Sequence, residues 1–180
     1  MALLVPSAGA PAPVTAGVRN LMESISNLYE ALQGEDDLGV VVRSHIIIEQ
    51  RLNSFVEALL VSSEHFTKMK LDFHQTVKLA VALGLNKRFE SPLNSLGSLR
   101  NGFAHSIRPE ISKQDAKNLY KSFSAEDKEI LHRSVKRTQG RHPDNQLSDY
   151  RSSTPKEQFS LNAVVLCAAL DSAIQQIPNQ

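Results

Sequence analysis

The chain has 180 residues, 41% hydrophobic and 22% charged, with 20 Lys and Arg against 19 Asp and Glu. That length suits one domain able to bury a full core, and a net charge of +1 excludes a strongly basic nucleic-acid coat and an acidic disordered tail. A single cysteine excludes an internal disulfide framework and a cysteine-based zinc site built from this chain alone, and fits a reducing, cytoplasmic setting.

The opening stretch MALLVPSAGAPAPVTAG lacks a charged n-region, and Pro6, Pro11 and Pro13 break its apolar run. It reads as a flexible arm over 1–16, not a signal peptide, and 17–177 as one domain. No later apolar run reaches the length of a membrane span. Aromatic residues make up 6% and period-two alternation is scarce, so strands are not expected. Three- and four-residue spacing dominates. Val18, Leu21, Met22, Ile25, Leu28, Tyr29 and Leu32 predict a helix that Gly34 ends.

A second helix is predicted from about Leu38 to Ser62, with the line Leu38, Val42, His45, Glu49, Leu52, Val56 and Leu59 inward. A third covers about Phe73 to Leu83, closed by Gly84. Ser91-Pro92 predicts the start of a fourth, running through Leu93, Leu96, Leu99, Arg100, Phe103 and Ala104 to a stop at Pro109. Ser112 caps a fifth, ending near Phe123, and Ser124 a sixth, with Asp127 in the capping-box position. The Gly, Pro, Ser, Asn and Asp content of 138–153 predicts a long surface loop. Thr154-Pro155-Lys156-Glu157 is a full capping box opening a last helix to about Gln176. The fold expected is all-α, an up-and-down bundle of about six to seven helices.

Phosphate-binding glycine loops and the serine-hydrolase elbow are absent from the sequence. The six histidines, His45, His65, His74, His105, His132 and His142, are scattered, so neither a metal nor a cofactor is expected. Cys167, within AVVLCAAL, reads as a buried, inert thiol. One segment stands apart: Leu99-Arg100-Asn101-Gly102-Phe103-Ala104-His105. Asn101 and His105 are i,i+4 neighbours. Arg100 shares the apolar face, where a guanidinium needs an acceptor. Antiparallel packing of helices two and four would offer it Glu49, with His45 one turn away, giving a polar cluster of His45, Glu49, Arg100, Asn101 and His105. From Arg133 to Lys156, six basic residues face two acidic ones. Arg133, Lys136, Arg137 and Arg141 in this stretch are candidate phosphate-backbone contacts.

This Arg-Asn-x-x-x-His string, late in a helix of an all-α chain and soon followed by a proline, resembles the HEPN superfamily, including its mannitol-operon-repressor-like group. The resemblance covers roughly 17–125 in helix order. It implies a four- or five-helix core that pairs as a homodimer. Many such domains are non-catalytic regulatory or interaction modules that bind a partner protein or nucleic acid, and the chain reads first as one of these. The alternative that the resemblance implies is a metal-independent endoribonuclease of toxin or defence type. There His105 would be the general acid/base and Arg100 the phosphate ligand. Asn101 would orient the histidine or the phosphate, with Glu49 and His45 in support. Some nuclease-type members carry a Tyr two residues after the His, where this chain has Ile107.

Overall fold

In the computed structural model, the described residues are 27–105, 110–141 and 150–178, the side chains of 136–141 excepted. They form eight helices and no strand. Helical residues 27–33 (α1) precede α2 (Asp37–Leu59), α3 (Ser63–Met69), α4 (Phe73–Ala82), a 3-10 turn (Lys87–Phe89) and α5 (Glu90–His105). Then come α6 (Lys113–Ser122), α7 (Ala125–Arg141) and α8 (Pro155–Gln175). No described helix is long and apolar enough to cross a membrane.

Polar caps set the helix starts. Asp72–Gln75, Ser112–Asp115 and Thr154–Glu157 close reciprocal capping boxes on α4, α6 and α8, each satisfying two backbone donors that lack a helical partner. Asp127 N–H donates to Ser124 Oγ at 3.1 Å, as its capping position predicts. Asp36 accepts from Gly39 N–H at the head of α2. Lys156 Nζ donates to the Gln33 and Glu35 carbonyls, so a cation sits on the C-terminal end of α1, where the helix dipole favours it.

The central element is α2, which packs along α8 on one side and against α4 and α5 on the other, while α6 bridges α5 and α8. Ile48, Leu52, Phe55, Leu93, Leu96, Phe159, Leu166 and Leu170 are buried where these helices meet. Arg51 Nε donates to Asp171 Oδ1 at 2.8 Å and fixes the register of α2 on α8. Ile111 N–H donates to Asp37 Oδ2 at 2.6 Å. That bond brings the chain just beyond α5 back to the head of α2, so the two helices run antiparallel.

Several expectations are corrected. Of the inward line expected on α2, His45, Leu52 and Val56 are buried, together with Val40, Val41, Ser44, Ile48 and Phe55, whereas Leu38 and Val42 are exposed. Aliphatic residues surround this helix on nearly all sides, and the flanking helices decide which are covered. Residues 138–141, expected in the loop at 138–153, belong instead to α7, which continues to Arg141. Residues 142–149 lie outside the described residues, as do the arm 1–16, Val18, Leu21, Met22, Ile25, Ile107 and Pro109. Helix α5 starts at Glu90, out of the 3-10 turn, with Pro92 inside its first turn, where proline's missing N–H costs nothing. The short α3, between α2 and a left-handed Lys70, was not expected.

Candidate functional site

Helix α5 carries its apolar line, Pro92, Leu93, Leu96, Gly97 and Phe103, into the core. Arg100 falls within this line by helical angle, yet it is exposed, as are Asn101, Ala104 and His105. The expected core ion pair is therefore corrected: among the described residues no salt bridge joins Arg100 to Glu49. Burying a guanidinium is expensive, and its long stem lets the charge reach water from an inward-facing Cα. Arg100 Nη1 instead donates to Asn101 Oδ1 at 3.1 Å. Arg100, Asn101 and His105 thus share the exposed last turns of α5.

Beneath this edge lies His45, only 6% exposed on α2. Its ring stands 4.4 Å from that of Phe73, centroid to centroid. Its Nδ1 is 3.8 Å from Glu49 Oε2, the carboxylate being partly in water. Burial, then the charges of Arg100 and His74, push the His45 pKa down to about 4. At neutral pH this imidazole is uncharged and supports the site without adding a cation. Phe73 is in turn pressed against Gly97, where an added Cβ would come within 2.8 Å of the phenyl ring and 3.2 Å of His74 Cε1. The absence of a side chain at Gly97 is what lets α4 and α5 approach so closely.

His74 is a site residue that sequence reasoning missed. Its Nδ1 lies 2.8 Å from Asn94 Oδ1, one helix across. The signal was present: Asn94, Ser98, Asn101 and His105 recur at helical spacing as a polar line on α5.

Gly102 behaves differently from Gly97, since a Cβ there meets nothing within 4 Å among the described residues outside its own helix backbone. Gly102→Ala should raise stability by about 1 kcal/mol through helix propensity alone, read as an upward shift in the urea midpoint. A midpoint that falls would show that the last turns of α5 need glycine's conformational freedom.

The basic stretch is only partly described. Arg133 is exposed on α7, its Nε donating to the Glu129 carbonyl at 3.3 Å. Lys136, Arg137 and Arg141 are placed on the same helix, with side chains outside the described residues. Cys167 is buried and its thiol pushed up to about 12, mainly by burial. Among the described residues no three of His, Cys, Asp and Glu gather as a metal site. Set against protein-family models, curated proteins and solved structures, the chain matches none of them.

Proposed function

We propose that the chain is a HEPN-like module acting on RNA in the cytoplasm, with Arg100, Asn101 and His105 forming a metal-independent endoribonuclease edge. The observation that carries this reading is the exposure of all three side chains with no carboxylate among the described residues paired to the guanidinium. A buried staple would have consumed that charge inside the protein. An exposed, bidentate cation is suited to a phosphodiester.

In this reading Arg100 holds the two non-bridging phosphate oxygens and stabilises the charge that grows on them. The ribose 2′-hydroxyl attacks phosphorus and the bond to the 5′-oxygen breaks. One imidazole takes the 2′-hydroxyl proton and a second, protonated one gives a proton to the leaving oxygen. Each chain supplies His105, so a homodimer supplies both. The products are a 2′,3′-cyclic phosphate and a 5′-hydroxyl.

A second reading rests on Leu38, Val42 and Ile46, which are 48%, 37% and 47% exposed on successive turns of α2. An apolar strip left in water marks contact with another protein, as suits a non-catalytic regulatory module.

RNA cleavage in EDTA separates the readings. Wild type should cut and leave cyclic-phosphate ends, while His105→Ala and Arg100→Ala, both folded, should not. Growth arrest on overproduction should vanish with His105→Ala. Absence of cutting by wild type, or equal cutting by both variants, would transfer the case to the second reading.

A further inference from the structure

The bundle holds a second imidazole beside the α5 edge, set by contacts unlike those of His105. His74 comes from α4, and its ring lies over Gly97 of α5. Gly97 precedes Arg100 by one turn, about 4.5 Å along the axis, and His105 lies about 12 Å beyond Gly97. His74 and Arg100 both bear electrostatically on His45, so they border one place between α2, α4 and α5. His74 is half-buried. Its Nδ1 meets Asn94 Oδ1 at 2.8 Å, an oxygen that can only accept, so in the neutral ring the proton sits on Nδ1. Nε2 then holds the lone pair, and no described residue makes a hydrogen bond to it. An imidazole locked by a carboxamide in this tautomer is a preset acceptor, and its aim is fixed by Phe73 at its edge.

The ligand that meets it follows from the neighbouring groups. Arg100 and Asn101 donate toward an anionic backbone, whereas the lone pair on Nε2 of the neutral ring attracts no phosphate oxygen. What Nε2 can take is a hydroxyl or amine proton. On a ribonucleotide chain the group found at every residue, whatever its base, is the ribose 2′-hydroxyl, which also separates RNA from DNA. We propose that His74, oriented by Asn94, is a specificity-determining residue whose Nε2 accepts from the 2′-hydroxyl of a nucleotide flanking the one at His105. This rests on the reading of the α5 edge as an RNA site. It adds a ribose-sensing position about two turns up the helix from His105, with Ser98 and Asn101 marking the path between.

The test is a binding cycle that does not depend on cleavage. Short single-stranded RNAs carry a 2′-deoxy residue at the scissile position, which blocks cutting, and a second 2′-deoxy residue scanned along the strand. Affinity is read by fluorescence anisotropy at pH 7.5. Wild type should lose about fivefold at one flanking position, the worth of one neutral hydrogen bond. In His74→Ala that loss should disappear, while other positions keep theirs. Asn94→Ala, which frees the ring without removing it, should give an intermediate loss. Equal sensitivity at every position in wild type and His74→Ala would overturn the proposal, as would no measurable binding by wild type. Cleavage of the all-ribose strand in EDTA, run alongside with His105→Ala, reports separately on the nuclease reading. A wild type that cuts, with an unchanged deoxy scan in His74→Ala, sinks the ribose contact alone.

Discussion

Phe73→Ala should destabilise the protein by about 3–5 kcal/mol, the range for removing a buried phenyl group. That is a large share of the roughly 5–15 kcal/mol that holds a domain of this kind together. The ring is only 8% exposed and fills the junction of three helices. It stacks obliquely on His45 of α2 and meets the edge of His74 on α4. It also occupies the space that a side chain on Gly97 of α5 would need. Its loss leaves a void walled by two imidazole rings and one helix backbone, which water can enter.

The same junction can be overfilled. Gly97→Ala gains about 1 kcal/mol in helix propensity, but a Cβ 2.8 Å from the phenyl ring forces Phe73 or α4 to shift, at a typical cost of 1–3 kcal/mol. Net destabilisation is expected. Combining Gly97→Ala with Phe73→Leu should cost less than the two single changes added, because each relieves the other's misfit. Urea unfolding of the four proteins measures the cycle. A Phe73→Ala loss below about 1 kcal/mol would mean that α4 and α5 are held together by something other than this ring.

Most helix boundaries were legible because they are written in short polar signals. Ser112, Ser124 and the Thr154–Glu157 box sit where the structure caps α6, α7 and α8. Orientation was less legible. Residues 40–42 are three valines and 46–48 three isoleucines, so spacing alone cannot tell which side of α2 faces inward. Contact with α8, α4 and α5 decides it, and that contact is tertiary. Arg100 failed for a related reason. Its helical angle points inward, but whether the charge is covered depends on how far the neighbouring helices extend beside the end of α5. The His74–Asn94 pair was unreadable as a pair, since nothing local links residues on two helices. Its polar line on α5 was visible. The glycine that admits Phe73 lay in plain sight, but its meaning required the ring to be placed opposite.

His45 should make stability strongly dependent on pH in the mildly acidic range. Its folded pKa is about 4, against the ordinary 6.5, so between those values the unfolded chain binds the proton and the folded one does not. Stability is full above about pH 6.5 and is lost as pH falls toward 4, the slope being set by the extra proton of the unfolded state. The loss at pH 5 from this residue is about 2 kcal/mol. The groups around the ring point the same way or act weakly. Arg100 and His74 oppose a positive charge, and Glu49, mostly hydrated at 3.8 Å, does little to support one. Carboxylates elsewhere also titrate as pH falls, so the difference between wild type and His45→Gln isolates the effect. Urea midpoints at pH 7 and pH 5 should drop more for wild type than for the variant, which has no proton to take up. His45→Phe serves as the second comparison, keeping a ring against Phe73. Parallel declines in all three proteins would show that the imidazole titrates normally where it stands, and that water reaches it behind Arg100.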